Sequence, residues 1–330
     1  MRIYSKLSEF KEDYPMPDRV GGIEMENRIK LGLVGLGSIC RKAYMPVLSK
    51  ETKWTLVGGY ARTKERRDDF EREYRVKAYE SLTALSEDVD AVIINASTDS
   101  HFTLAKFFLE KGIHVMIDKP LAPTVEECER LVFYSVHHQA KLMVNFNRRF
   151  APLYQAVKDE ITPTSLIRIV KNRCGRIGPE DALFTLNDDY IHLVDTARWL
   201  VDGKLIMEDG NIEVNGDNQL IYAKHRFVSP EGLQVETLLH RDSGKTLELM
   251  ELVKEGKTVR VIDLATMETD VKNETRIKSP SQWDTVEKVK GFSDAIDAFS
   301  DAILLNKEMP SSGMEALATQ RVMDSLLRGI

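Results

Sequence analysis

Three short stretches of this chain carry residue types at spacings that suit chemistry. Gly35-Leu-Gly37-Ser38-Ile39-Cys40 is a glycine turn, Asp118-Lys119-Pro120 offers an amine, and Asp188, His192 and Asp195 flank an imidazole with carboxylates. In the turn, the first glycine permits a tight reversal and the second lets backbone approach a pyrophosphate. The phosphate then sits on a helix N-terminus, and the small Cys40 suits helix–strand packing. Gly35, Gly37, Ser38 and Ile39 are its candidate contacts. Lys119 precedes a proline, which biases it toward an extended form that can project its amine. Such an amine can bond a reacting hydroxyl and move its proton. Asp188, His192 and Asp195 are spaced i, i+4 and i+7, so on a helix they share a face. Neighbouring carboxylates there would orient the ring and raise its proton affinity. Plainer readings stay open: a glycine turn that binds nothing, a surface lysine before a helix, and a core histidine capped by Asp195.

These residues need a scaffold, and the pattern around them supplies one. Lys30-Leu-Gly-Leu-Val-Gly35 is an apolar run of the buried parallel-strand kind. Further strands are predicted over Trp54–Tyr60, Ala91–Ala96, His114–Ile117 and Lys141–Phe146. Helices are predicted between them at Ile39–Lys50, Lys64–Tyr74, His101–Lys111 and Thr124–Gln139, where Thr124 and Glu127 fit a capping box. This alternation predicts a doubly wound parallel sheet over 29–150. Beyond it, helices are predicted at Leu153–Ile161 and Asp189–Leu200, with strands at 166–173, 211–215, 219–228, 232–241, 246–252 and 256–264. Turn residues such as Asn215-Gly216 separate the later strands, which indicates a large, mostly antiparallel sheet. Helices over 291–306 and 314–329 close a second α/β domain spanning 151–330. Residues 1–28, polar and without a sustained period, read as an N-terminal extension.

The corner after the second strand bears on which dinucleotide the turn would hold. An acidic residue there would bond a ribose 2′-hydroxyl, but Tyr60-Ala61-Arg62-Thr63 has none. Arg62, Thr63, Lys64 and Arg66 would suit a 2′-phosphate instead, which favours NADP(H) over NAD(H). Their alternative role is as solvated cations of a helix start. Ser97, Thr98 and His101 lie after the third strand, where cofactor contact and helix capping are both open. Arg148 and Arg149, near the domain junction, suit either a substrate anion or structural ion pairs. Arg173 and Arg176 flank Gly175 in a segment that could enter a cleft.

Composition narrows the partners. The chain has 330 residues, 42% apolar and 30% charged, with 46 Lys plus Arg against 52 Asp plus Glu and a net charge of -6. That balance gives no global pull toward nucleic acid or an anionic membrane. No apolar run approaches the ~20 residues needed to cross a bilayer. Three cysteines far apart in sequence fit a reducing, cytoplasmic setting, and no Cys/His/carboxylate set has metal-site spacing.

The ordered motifs resemble the Gfo/Idh/MocA oxidoreductase family, most closely its MviM-like (virulence-factor homologue) branch. They are Gly35-Leu-Gly37, Ala96-Ser97-Thr98-Asp99-Ser100-His101, Asp118-Lys119-Pro120-Leu121-Ala122 and Asn145-Phe-Asn147-Arg148-Arg149-Phe150. The resemblance covers residues 29–330. It implies a Rossmann domain, a second domain with a large open sheet, and hydride transfer at a sugar or cyclitol carbon. It also implies a homodimer or homotetramer built through that sheet. By resemblance, Lys119 serves both cofactor and catalysis, His192 is the acid/base, and Asp188 binds or orients substrate. Two departures stand out. Asp118 replaces the family's Glu, and Tyr190 stands where many relatives carry Gly, so a phenol would be expected to reshape the pocket. The rival class is a dinucleotide-binding sensor without turnover. A third option is an enzyme acting on an imine or dihydrodiol, which would keep Lys119 but need not keep the histidine.

Overall fold

The structure is a computed structural model that describes residues 28–50 and 52–327. Apart from Arg28, the expected N-terminal extension lies outside the described residues. In the first lobe, β1 (Ile29–Val34), β2 (Trp54–Tyr60), β3 (Ala91–Ile94), β4 (His114–Asp118) and β5 (Leu142–Asn145) form a parallel sheet in the order β2-β1-β3-β4-β5. Its strands are continuous apolar runs because helices cover both faces; Ala91 to Ile94 are fully buried. Between the strands run α1 (Met45–Leu48), α2 (Lys64–Tyr74), α3 (Leu82–Ser86), α4 (Thr98–Leu109) and α5 (Val125–His137). A π-helical turn at Cys40–Tyr44 leads into α1. The capping box on α5 forms, with Thr124 Oγ1 accepting from Glu127 N at 3.2 Å. Helix α4 starts three residues before the expected His101, because Ser97 already takes the extended conformation of an N-cap.

The strand order reverses at β1, which has β2 on one side and β3 on the other. The loops after β1 and β3 therefore part there, at the C-terminal edge, and leave a crevice. Backbone bonds fix the corner: Gly35 N donates to Tyr60 O at 2.9 Å, and Asn95 N to Val34 O at 2.9 Å.

The second lobe carries α6 (Pro152–Lys158), β6 (Leu166–Asn172), α7 (Ala182–Thr185) and α8 (Ile191–Leu200). They are followed by β7 (Ile206–Val214), β8 (Leu220–Val228), β9 (Gln234–His240), β10 (Leu247–Lys254), β11 (Lys257–Ile262), β12 (Thr266–Val271) and β13 (Glu274–Lys278). The eight strands are ordered β13-β12-β11-β10-β6-β9-β8-β7, antiparallel apart from the parallel pair β6–β9. The mostly antiparallel sheet is as expected. Strands β12 and β13 were not anticipated. They are polar along most of their length, and their turn uses Lys272 and Asn273 at positive φ in place of a glycine signal.

Three helices follow: α9 (Val286–Val289), α10 (Phe292–Leu304) and α11 (Gly313–Leu327). The sequence placed the last two with the second lobe; α10 packs into the first lobe, and α11 packs between α5 of the first and α8 of the second. Ala295, Ile296 and Phe299 of α10 share a core with Leu31, Trp54 and Ile93. Ser311 O accepts from Val144 N at 2.9 Å, beside the start of α11. Their amphipathic pattern is equally suited to either lobe, so the sequence does not reveal which apolar surface receives them.

A buried ion pair joins the segments at this junction. Arg149 donates through Nε and Nη2 to both oxygens of Asp195 on α8, at 2.8 and 2.7 Å. Thr319 of α11 donates to the same carboxylate at 2.9 Å. The side chains of Arg149 and Asp195 are 4% and 1% exposed, so removing Asp195 leaves the buried guanidinium with only the longer contact to Glu315, at 3.5 Å. Asp195→Ala is expected to lower the unfolding free energy by ~3 kcal/mol or more, read from urea titration.

Candidate active site

The crevice of the first lobe opens onto a cleft of about 810 Å³ shared with the second lobe. Ile39, Asn95, Ser97, Thr98, Lys119 and Asn145 line it from the first side, and Lys171, Arg173, Asp188, His192 and Glu248 from the other. The glycine turn faces this space. Gly35 has φ +99°, and a Cβ there would stand 2.7 Å from Ala96 N, so the backbone itself requires glycine. A Cβ at Gly37 would meet nothing within 4 Å. No packing among the described residues requires that glycine; it leaves the backbone of the turn open to approach. Ser38 and Ile39 are exposed at the helix start beside it, and Cys40 is fully buried as the small packing residue. These features fit a dinucleotide pyrophosphate.

Arg62 and Thr63 are exposed just beyond Tyr60, whose carbonyl binds the turn, so they stand at the corner beside it. Lys64 is engaged with Asp68 at 2.6 Å. Ser97 and Thr98 line the cleft, and the Ser97 side chain does not cap α4. His101 does not join them. It is buried, with Nδ1 2.8 Å from Pro120 O and Nε2 3.2 Å from Ala96 O, and burial lowers its pKa. It fastens the loop after β3 to the segment after β4.

Strand register places Asp118 beside Asn145 at the sheet edge. Tyr44 Oη donates to Asp118 at 2.5 Å and accepts from Asn145 Nδ2 at 2.7 Å. Burial raises the Asp118 carboxyl to about 6, although Tyr44 and Lys119 oppose the shift. The next residue, Lys119, crosses the cleft. Its Nζ donates to Asp188 O at 2.7 Å and to Asp188 Oδ1 at 2.5 Å.

The second-lobe residues do not come together as expected: His192 and Asp195 share a face of α8, but Asp188 lies in the turn before it. A π-helical turn over Leu186–Tyr190 shifts the helical phase ahead of α8. Asp188 goes to Lys119, Asp195 goes to Arg149, and neither touches His192. His192 lines the cleft but is 8% exposed, and its Nδ1 has no hydrogen-bond partner among the described residues. Its pKa lies well below the ordinary value, through burial and then the charges of Arg148, Lys171, Lys119 and Arg173. The direction is opposite to the rise in proton affinity expected from flanking carboxylates.

Tyr190 also departs from expectation. It points away from the cleft into the sheet, where its hydroxyl is 2.6 Å from both His225 Nδ1 and Thr237 Oγ1. It does not reshape the pocket.

Of the charged cluster in the cleft wall, the sequence pointed to Arg148 and Arg173, both of which line the cleft, but not to Lys171, Asp189, Arg241 or Glu248. Asp189 takes Lys171 Nζ at 2.7 Å, Arg173 Nη2 at 2.7 Å and Arg241 Nη1 at 2.5 Å. These partners hold its carboxyl far below the usual range against burial. Arg148 pairs with both oxygens of Glu248 at 2.6 and 2.7 Å. Burial, with the Arg148 charge, lowers Lys171 to about 8. A signal for Lys171 was present. Ile167, Ile169 and Lys171 follow the two-residue period of β6, so the lysine takes an inward position. Arg149 and Arg176 lie outside the cleft lining; Arg149 serves the buried pair, and the Arg176 carbonyl accepts from Arg241.

Comparison with known proteins follows this division of the chain. Residues 29–146 match the profile of the oxidoreductase family with an NAD-binding Rossmann fold, and residues 152–272 match the YceM-like C-terminal domain. The chain is 35% identical over 300 residues to a Salmonella typhimurium protein named "Putative oxidoreductase YceM", covering 91% of this chain and 97% of that protein. The crystal structure of the dehydrogenase MviM from Clostridium difficile superposes with a TM-score of 0.89 at 33% identity, over 92% of this chain and 99% of that one. An inositol 2-dehydrogenase/D-chiro-inositol 3-dehydrogenase of Halalkalibacterium halodurans is 25% identical over 220 residues, covering 63% of this chain and 62% of the enzyme.

Asp118 allows a test of the site's electrostatics. Its folded pKa of about 6 exceeds the ordinary 3.8, so the folded state binds more protons between those values. Ionised Asp118 thus costs stability progressively as pH rises through that window. Asp118→Asn, which cannot ionise, is expected to gain on the parent protein in unfolding free energy as pH rises from 4 to 6. A difference that stays flat with pH contradicts this environment.

Proposed function

The chain belongs to the Gfo/Idh/MocA oxidoreductase family, with an NAD(P)-binding Rossmann lobe, and on that premise we propose that it transfers hydride at a secondary alcohol or ketone of a sugar, sugar derivative or cyclitol. One observation carries the reading: Lys119, from the nucleotide-binding lobe, reaches Asp188 of the second lobe across a cleft that Ile39 of the glycine turn also lines. When bound, the nicotinamide supplies the hydride acceptor or donor. Gly35, Gly37, Ser38, Ile39, Ser97 and Thr98 would hold the cofactor. Arg62 and Thr63 at the β2 corner support NADP(H) over NAD(H).

Lys119 is the proton carrier. In the reducing direction it gives a proton to the carbonyl oxygen, and in the oxidising direction it accepts the hydroxyl proton. Asp188 Oδ1, 2.5 Å from the amine, passes that proton to solvent; its side chain is 57% exposed and so keeps contact with water. His192, neutral and without a fixed tautomer, serves as a hydrogen-bonding wall of the substrate site and not as a primed base. The names of the inositol dehydrogenases among the relatives support a polyol substrate. Association of copies through the open face of the eight-stranded sheet is supported by exposed Leu166, Val253 and Ile277 on its strands. Buried, unpaired Cys40 and Cys128 are compatible with the cytoplasm.

The reading is tested by steady-state kinetics on a substrate found by screening polyols with cofactor. Lys119→Met is expected to lower kcat by roughly 10²–10⁴-fold. In the same assay, Arg62→Ala shifts the NADP-to-NAD preference toward NAD. Unimpaired turnover in Lys119→Met rejects the assignment.

A further inference from the structure

The second-lobe wall of the cleft holds more positive than negative charge. Lys171, Arg173 and Arg241 converge on the single carboxylate of Asp189, and Arg148 is matched by Glu248, which lies 4.0 Å from Lys171. Four cations thus share two carboxylates. The other acids on the wall do not correct this. Asp188 is taken by Lys119, and Asp263, whose Oδ1 accepts the backbone N–H of Glu248, lines the same cleft and brings only one further carboxylate, which leaves four cations to three acids. Stability alone would favour pairing buried charges one for one, because each unmatched cation carries its desolvation cost.

The excess is built, not incidental. Lys171 and Arg173 sit two residues apart on the same face at the end of β6, and both line the cleft. Lys171 is 5% exposed at its side chain and Arg173 35%, so one is fixed in the wall and the other reaches the space. Strand pairing on both sides of β6 holds the base of this pair in place.

Resting on the hydride-transfer reading, we infer that the substrate bears an oxyanion, a carboxylate or a phosphate, seated against Lys171 and Arg173. The oxyanion supplies the charge that the wall lacks, and the guanidinium and ammonium donors bind it as charge-assisted hydrogen bonds. A neutral sugar or cyclitol would leave the excess uncompensated. The substrate class is therefore an acidic sugar derivative.

The test uses the full chain saturated with NADP⁺ at fixed ionic strength. Calorimetry or thermal shift is run with D-glucuronate, D-galacturonate and D-glucose 6-phosphate against D-glucose, D-galactose and myo-inositol. At least one acid is expected to bind about tenfold or more tighter than its neutral counterpart, a difference suited to charge-assisted contacts. The uronates and the phosphate ester distinguish carboxylate from phosphate. Lys171→Met and the partly exposed Arg173→Gln are each expected to remove most of that preference. Equal or tighter binding of the neutral compounds, no binding by any acid, or an intact preference in both variants overturns the oxyanion site. Binding of an acid without reduction of NADP⁺ overturns the hydride-transfer reading and leaves the oxyanion site standing.

Discussion

Lys119 leaves the first lobe at the C-terminal edge of β4, and its amine meets Asp188 of the second lobe at 2.5 Å. Much of the architecture can be read as what that contact requires. The parallel sheet brings the ends of β1, β3 and β4 to one edge, so the glycine turn and the lysine face the same space. Behind Lys119, Tyr44 and Asn145 hold Asp118 and fix the strand end. On the opposite side, the π-helical turn ahead of α8 turns Asp188 toward the amine and Asp189 into the wall. The Arg149–Asp195 pair then joins the end of the first lobe to α8 and α11, which sets the separation across which the lysine reaches.

Burial decides the electrostatics on each side of the cleft. On the first side it raises Asp118, and the neighbouring amine only partly offsets this. On the second it lowers Lys171 and His192, while the convergence of three cations keeps Asp189 ionised. A neutral imidazole beside clustered cations is poorly suited to accept a proton. In the proposed reaction that work falls to the lysine, whose partner is the more exposed carboxylate. The cations of the wall are left to recognise charge on the substrate.

The scaffold was more legible than the site. Continuous apolar runs placed the parallel strands, and the boundaries of Trp54–Tyr60 and Lys64–Tyr74 agree with the structure, because buried strands and charged helices differ sharply in composition. Polar strands β12 and β13 lacked both an apolar period and a glycine turn. Helices α10 and α11 showed that they had an apolar face but not which surface it would cover. At the site, local spacing misled. An ideal 3.6-residue period put Asp188, His192 and Asp195 on one face; one π-helical turn shifted Asp188, and Arg149 claimed Asp195. The partners that claimed Asp188, Asp189 and Asp195 are Lys119, Lys171, Arg173, Arg241 and Arg149, most of them distant in sequence, so only tertiary structure could pair them. The inward position of Lys171 in β6 was the part of this cluster that strand periodicity could reveal.

The central claim is that Lys119 and Asp188 act as one proton-handling unit across the two lobes. A double-mutant cycle on kcat tests it most directly, using Lys119→Met, Asp188→Asn and the double variant with the same substrate and cofactor. Coupling predicts strong non-additivity: once Lys119 is gone, Asp188→Asn costs almost nothing further. Independent, additive losses would contradict the account.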